Sequence, residues 1–409
     1  MLKILIVEDE TEKRRLIVEA ILGVEGVTLN NIDTVSDGFN AKKRLKEKKY
    51  DLLVLDINIP PREDRPIRKD GGLDVINFIK RNRNAKQPHH VVGMTAYDEA
   101  FSEAEVEFST LIWKLVKFSY ADVEWRSSLQ DSVQYLVEND IPPYTNDGTT
   151  FHFDVGIVCA LEEELLAIRD LDANWEEVRI PYDHSSYFTA EFLTGDSKVT
   201  IVAVAAPHMG MPTAAVVATK LIATFRPGLV IMPGICAGVK GKTNFGDVLV
   251  ADPCFDWGSG KWTTNDEGKL QFRPAAYQWR LDSSLNGVVS RLANSPEMLE
   301  SIYNNYQNNK PDRAPSVIVD AMASGGSVLQ AQALVEDVRE QHKNLVGIEM
   351  ESYSVFTACA YAAEPRPLCI SMKSVCDFGD KDKEDDFHAY ACYTSAQFLY
   401  QFILTFYES

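Results

Sequence analysis

The sequence predicts an α/β protein of two domains in series, each built on a helix-covered sheet. Two observations carry this. Short apolar runs alternate with amphipathic stretches along the chain, and a polar break over residues 139–151 divides that alternation in two. Size agrees: 409 residues hold two or three domains at roughly 150 residues each.

Before the break, KILIV reads as a strand and EKRRLIVEAIL has helical spacing; DLLVLDI is a buried strand, GLDVINFIKRN a helix, HVVGMT a strand and LIWKLVKF another. Strand and helix in alternation imply a parallel sheet covered on both faces, with ligands outside the carboxyl ends of its strands. The break, ENDIPPYTNDGTT, is rich in Pro, Asn, Asp, Gly and Thr and reads as a linker between a domain over 1–138 and one over 152–409. Beyond it, DVGIVCAL, KVTIVAVAA, GLVIMPGI, DVLVAD, SVIVDAMA, LVGIEM and LCISMKSV are expected strands. PTAAVVATKLIATF, LQAQALVEDVREQH, ESYSVFTACAYAA and HAYACYTSAQFLYQFILTFY are expected helices.

At 45% hydrophobic and 25% charged, the composition is that of a globular protein. The formal charge of -19 repels phosphate backbones and anionic lipid, so neither nucleic acid nor membrane is an expected partner. No apolar run reaches the length of a membrane span, and the N-terminus lacks the shape of a signal peptide. The seven cysteines lack CxxC spacing and fit a reducing compartment, so a cytoplasmic location is expected.

Glu8 and Asp9 follow the first strand and Asp56 ends the third. Three carboxylates at neighbouring strand ends make a hard, oxygen-rich site that suits Mg2+, and one of them can accept a phosphoryl group. Thr95 closes the next strand and a lysine follows the last, where a hydroxyl and an ammonium can meet phosphoryl oxygens. An Asp after a strand is by itself an ordinary turn or cap residue; the ordered set is what stands out. With it, residues 1–138 resemble the receiver domain of two-component response regulators. The resemblance implies a flavodoxin-like fold with a parallel five-stranded sheet. It makes Asp56 the phosphoacceptor, with Mg2+ held by Glu8, Asp9, Asp56 and the Asn58 carbonyl, and with Thr95 and Lys117 as the switch pair. It also implies a cognate histidine kinase or phosphotransfer protein. Two departures stand out. The loop after Asn58 is longer than the family norm and carries Arg62, Arg65, Arg68 and Lys69. The usual Lys-Pro pair is absent, leaving Lys117 before Phe118, with Lys114 as the alternative.

In the second domain, ALEEE places Glu162, Glu163 and Glu164 after a buried strand, where an acidic first helical turn is the plain alternative. GIEMES sets Glu349 and Glu351 on either side of Met350, so one carboxylate is expected to be structural and one to face a ligand. Asp377 follows the strand CISMKSVC and is expected to face solvent in a cleft. Carboxylates on separate strand ends around one cleft suit glycosidic cleavage: one acid protonates the leaving group and another positions water. No His, Cys and Asp set has metal-ligand spacing, so no cofactor is expected here.

Together with HMGMPTAA, PGICAGV and ASGGSVL, these segments resemble the nucleoside phosphorylase/nucleosidase superfamily over residues 153–407, which implies an α/β domain with a central mixed sheet. By that resemblance Asp377 protonates purine N7, Glu164 positions water and Glu351 binds the ribose hydroxyls. Met350 packs on the sugar beside Glu349, Val328 and Leu329 lie along the base, Phe387 covers the nucleoside, and His208 reaches the ribose or a phosphate. The ALEEE form and the lack of an arginine in MPGICAGV favour water over phosphate as attacker. The superfamily also implies a homo-oligomer.

Lys240, Lys242, Lys261, Lys269, Arg273 and Arg280 are the expected source of a phosphate subsite. A receiver fused to a nucleosidase resembles the effectors of Detocs-type two-component phage-defence systems, which cleave ATP to adenine and ribose-5′-triphosphate. The expected activity is thus a phosphorylation-controlled purine nucleosidase in antiviral defence. Alternatives are a methylthioadenosine/S-adenosylhomocysteine or AMP nucleosidase, or a purine nucleoside phosphorylase, under receiver control, and a non-enzymatic nucleoside-binding output.

Overall fold

The computed structural model describes residues 2–96, 108, 113–195, 197–264, 266, 268, 270–327, 332–379 and 387–408. The chain divides into two compact units, Met1–Ile141 and Pro142–Ser409.

The first unit runs β1 (Ile4–Val7), α1 (Thr11–Leu22), β2 (Ile32–Val35), α2 (Gly38–Glu47), β3 (Leu52–Asp56), α3 (Gly71–Arg81), β4 (His90–Thr95), β5 (Lys114–Lys117) and α4 (Glu124–Glu138). Its sheet has the order β2-β1-β3-β4-β5, and every pair is parallel. Period-two alternation splits the buried strand residues between two cores. Ile4, Ile6, Leu52 and Val54 meet Ile17 and Ile21 of α1 and Leu129 and Val133 of α4. Leu5, Val7, Leu53 and Leu55 meet Ala41 and Leu45 of α2 and Val75 and Ile79 of α3. A fully buried aliphatic side chain of this kind contributes about 1.5–3 kcal/mol. The expected elements lack β2 and α2. Residues 32–35 (IDTV) form an only partly buried edge strand, and α2 starts on a side-chain cap in which Asp37 accepts the Asn40 N–H. At the start of α3, a Cβ on Gly72 would meet the Asp56 carbonyl at 2.4 Å, so glycine lets this helix approach the acidic strand end.

The second unit runs β6 (Phe153–Cys159), α5 (Glu162–Arg169), β7 (Glu176–Val178), β8 (Tyr187–Thr194), β9 (Ser197–Ala205), α6 (Met211–Phe225), β10 (Pro227–Gly238) and β11 (Val248–Asp256). It continues with β12 (Gly260–Thr264), β13 (Leu270–Pro274), β14 (Gln278–Trp279), α7 (Ser283–Ala293), α8 (Pro296–Asn305), β15 (Val317–Ser324), α9 (Gln332–Gln341), β16 (Gly347–Glu349), α10 (Ser352–Ala360), β17 (Leu368–Asp377) and α11 (His388–Glu408). The sheet is mixed, in the order β14-β11-β15-β16-β10-β6-β9-β8-β7, with β17 between β10 and β11. Because β10, β17, β11, β15 and β16 pair in turn and β16 returns to β10, these five strands close into a ring. Helix α11 seals one face with Phe398, Leu399, Phe402 and Ile403 against Ile157, Ile231 and Ile370. Helices α6 and α10 cover another through Val217, Leu221 and Val355 against Val158, Val202 and Val230. No described helix is long and apolar enough to cross a membrane.

Candidate functional site

At the carboxyl edge of the first sheet, Glu8, Asp9 and Asp56 bring one carboxylate oxygen each within 4.8 Å of one another. Asp56 is buried, and its Oδ1 accepts the Asn58 N–H at 3.2 Å. Thr95 is buried at the end of β4, directly across the register from Lys117, which is exposed. Lys114 is instead committed to α4, where its Nζ donates to the Ser128 carbonyl at 2.7 Å and to Ser132 Oγ at 3.3 Å.

A residue missing from the expected set completes this cluster. Lys13 Nζ lies 2.8 Å from Asp56 Oδ2 and 2.9 Å from Glu8 Oε2, with its side chain only 4% exposed. Lys13 precedes Ile17 and Ile21 by four and eight residues, so it occupies the inward stripe of α1. Burial, reinforced by Asp56 and opposed by Lys13, raises the Glu8 carboxyl to about 7. Burial also raises Asp56 and Asp9. For Lys13, burial pulls downward, but the Asp56 and Glu8 charges outweigh it and raise the ammonium. Desolvated, hard oxygen donors of this kind fit a divalent cation.

In the second unit the ring of strands ends in a pocket lined by Glu164 of α5, Cys236 to Gly238 of β10, Glu349 of β16, Met350, Glu351, and Cys376 and Asp377 of β17. Glu164, in the first turn of α5, is buried. Its Oε2 accepts the Ala160 and Leu161 N–H groups at 2.7 and 3.0 Å, and its Oε1 accepts the Ile235 N–H at 2.9 Å. This arrangement requires glycine at 234, where φ is +130° and a Cβ would stand 2.0 Å from Glu164 Oε1. The acidic-turn reading and the site reading of ALEEE thus meet in one residue.

Glu349 holds the β16–α10 turn. Its Oε2 accepts the Glu351 N–H at 3.0 Å and the Ser352 N–H and hydroxyl, both at 2.8 Å, while Oε1 accepts the Ser324 hydroxyl. Glu351 is buried and reaches the start of α6, accepting the Gly210 N–H at 2.7 Å. Burial lifts its carboxyl to about 7; Lys373 opposes the shift and Glu349 adds to it. Asp377 is 8% exposed, so the expectation of a solvent-facing acid is corrected. Its Oδ1 accepts the Gly379 N–H at 2.8 Å and its Oδ2 lies 3.5 Å from Cys376 Sγ.

Lys373 is fully buried on β17, 3.9 Å from Glu164 Oε1. Burial alone would lower its ammonium, but Glu164, Glu349 and Glu351 together raise it. As a lysine within an otherwise apolar strand it gives no signal in the sequence that it faces three carboxylates. His388, the first residue of α11, also lines the pocket, with Nδ1 3.5 Å from Glu163 Oε1. It shares a 4.8 Å cluster with Cys376 and Asp377, so the fold assembles a His, Cys and Asp set that spacing along the chain does not announce.

The other expected residues divide. Met350 lines the pocket. Phe387 packs at 4.8 Å on Phe245, which packs at 4.8 Å on Phe378, and Phe378 lines it. His208 is exposed and not among the lining residues, although its neighbour Met209 is. Val328 and Leu329 lie outside the described residues, as does Lys269. No lysine or arginine lines the pocket among the described residues. Lys242 donates to the Lys343 and Leu345 carbonyls and Arg280 pairs with Asp252 at 2.8 Å. Lys261 and Arg273 face each other across the β12–β13 hairpin, and Lys240 stands 6.0 Å over the Phe378 ring.

This fold and pocket define an α/β domain of the phosphorylase class behind a receiver. The chain belongs to the phosphorylase superfamily, whose profile matches residues 154–408, and the response regulator receiver domain profile matches residues 4–114. Protein y4jS of Sinorhizobium fredii is 32% identical over 406 residues, 97% of each chain. ATP nucleosidase Cap17 of Escherichia coli is 28% identical over 251 residues; these are 59% of this chain and 49% of Cap17, so the match spans about half the length of that relative. The 5′-methylthioadenosine/S-adenosylhomocysteine nucleosidase of a Geobacillus species is 25% identical, over 58% of this chain and 90% of its own. Among solved structures, the corresponding nucleosidase of Helicobacter pylori is 19% identical with a TM-score of 0.49, covering 62% of this chain and 99% of its own.

Proposed function

We propose that this N-glycosidic hydrolase domain releases adenine from an adenine nucleotide, ATP in the first instance, under control of phosphorylation at Asp56. The observation that carries the hydrolytic reading is the convergence of Glu164, Glu351 and Asp377, from three separate elements, on one pocket with a buried lysine behind them. In the proposed reaction Asp377 gives its proton to N7 of the base as the N9–C1′ bond breaks. Water held by Glu164 adds to C1′ and leaves its proton on that carboxylate, and solvent then restores both groups. Glu351 accepts hydrogen bonds from the ribose hydroxyls and Met350 packs against the sugar. Glu349 supports Glu351 by fixing the turn that carries it. In the receiver, Glu8, Asp9 and Asp56, with the Asn58 carbonyl, would hold Mg2+, which neutralises charge during phosphoryl transfer from a histidine kinase or phosphotransfer protein.

The choice of ATP leans on the likeness to Cap17 and on the fusion to a receiver; the products are then adenine and ribose-5′-triphosphate, and the setting is antiviral defence by a cytoplasmic homo-oligomer. A second reading, a methylthioadenosine/S-adenosylhomocysteine nucleosidase, is favoured by the lack of a basic side chain among the described pocket residues. The test is to phosphorylate the full chain with acetyl phosphate and Mg2+, supply ATP, AMP or methylthioadenosine, and measure free adenine. Adenine released from ATP supports the first reading. Release from methylthioadenosine alone selects the second, and release that requires added phosphate removes both.

A further inference from the structure

We propose that Cys376, Asp377 and His388 form a site for Zn2+, and that the ion bound there shuts off adenine release. The site stands on geometry; the inhibition rests on reading Asp377 as the acid. One donor atom from each residue lies within 4.8 Å of the other two, and all three residues line the pocket. Neighbours along a strand ordinarily point to opposite faces, so Cys376 and Asp377 should diverge. A shift in register prevents this. Cys236 of β10 pairs with Val375 and Ala237 pairs with Asp377, which leaves Cys376 as the extra residue of a bulge. Bulges re-aim side chains, and here Cys376 Sγ stands 3.5 Å from Asp377 Oδ2. A sulfur and a carboxylate oxygen bound tetrahedrally to one Zn2+, at about 2.3 and about 2.0 Å, stand about 3.5 Å apart.

The surroundings orient each ligand. Asp377 Oδ1 accepts the Gly379 N–H at 2.8 Å, which turns Oδ2 toward the cysteine. His388 Nδ1 faces Glu163 Oε1 at 3.5 Å, so the buried Nε2 is the nitrogen presented to the ion. A carboxylate behind the imidazole is the usual support of a zinc-bound histidine. The donor set selects the metal: sulfur and nitrogen suit Zn2+, whereas Mg2+ takes oxygen donors such as those of Glu8, Asp9 and Asp56. Three protein ligands leave a fourth position for water. The thiol proton, which reaches the Cys236 carbonyl at 3.5 Å, leaves to solvent as the ion binds. With the metal on Oδ2, Asp377 has no proton to give the base, and cleavage stops.

Binding is tested on the full chain carrying Asp56→Asn, with excess Mg2+, so that the receiver's carboxylates do not compete. Co2+ should produce a thiolate-to-cobalt charge-transfer band that Zn2+ displaces and that Cys376→Ser abolishes. By calorimetry, Zn2+ affinity should fall about tenfold or more in Cys376→Ser and in His388→Gln, and about tenfold in Glu163→Gln. Activity is tested on the phosphorylated chain, with free Zn2+ set by a metal buffer and each variant compared with its own zinc-free rate. Adenine release should fall as Zn2+ rises and return when a zinc-selective chelator is added. Cys376→Ser should need about tenfold or more Zn2+ for the same inhibition. Absence of the cobalt band, or an equal band in Cys376→Ser, overturns the proposal. A band with adenine release undiminished by bound Zn2+ upholds the site and overturns Asp377 as the acid. If no substrate yields adenine, the nucleosidase reading fails, and the binding measurements still decide the metal site.

Discussion

Lys373 Nζ lies 3.9 Å from Glu164 Oε1, with the lysine side chain fully buried and the glutamate 2% exposed. Glu349 and Glu351 act on the same ammonium. Lys373→Met removes the positive charge and leaves buried carboxylates without the ammonium that offsets them. Losing one partner of a buried pair costs about 3–5 kcal/mol. Urea unfolding at neutral pH should show a loss of that order. Adenine release should fall with it, and the stability deficit should shrink in mild acid, where protonation relieves the repulsion.

Glu351 gives the molecule a pH dependence whose sign can be worked out. Its folded carboxyl sits at about 7 against an ordinary 4.5, with burial as the main cause. Between these values the folded chain holds a proton that the unfolded chain has lost, so the stability tied to this group is full below 4.5 and declines as pH rises through 7. The span corresponds to about 3 kcal/mol. Glu351→Gln keeps an oxygen for the Gly210 N–H and cannot ionise. Relative to wild type it should be more stable at pH 8 than at pH 5, as read from urea midpoints. In catalysis the direction is opposite, because the ionised form is the better acceptor for ribose hydroxyls. The wild-type KM should rise as pH drops below 7, and in Glu351→Gln it should be high and flat.

The strands that build both units are legible because they are buried on two faces: ILIV of β1 and LLVLD of β3 have no exposed residue, so apolar runs mark them without ambiguity. The β12–β13 hairpin is not, since residues 260–264 and 270–274 are largely exposed and alternate nothing. The same contrast runs through the sites. Glu164, Glu351 and Asp377 are marked by position at the ends of apolar segments, and the pocket gathers them. Lys13 and Lys373 are hidden because a lysine in an amphipathic or apolar segment reads as solvated until packing shows otherwise. His388 lies eleven residues beyond Asp377, and only the start of α11 brings it back to the pocket.

Gly234 tests whether the position of Glu164 matters apart from its charge. With φ at +130° and Glu164 Oε1 2.0 Å from the site of a Cβ, alanine cannot be accepted without moving the carboxylate. Gly234→Ala should therefore cost about 1–3 kcal/mol of stability. It should also lower kcat for adenine release by about tenfold or more, because a misplaced water holder loses near-attack geometry. A variant that folds and turns over at the wild-type rate would show that Glu164 does not position the attacking water.

Asp377 separates hydrolytic chemistry from binding. Because the carboxylate is buried and accepts the Gly379 N–H, alanine would leave that donor without its partner, whereas asparagine keeps an oxygen for it. Asp377→Asn should fold with a melting temperature close to wild type. It should bind the nucleoside or nucleotide with little change in affinity and release adenine about a hundredfold or more slowly, the loss expected when a general acid is removed. Calorimetric binding together with adenine chromatography reads both quantities on one sample. Wild-type turnover in this variant would exclude Asp377 as the acid and move that role to another group at the pocket, with His388 the first to be replaced.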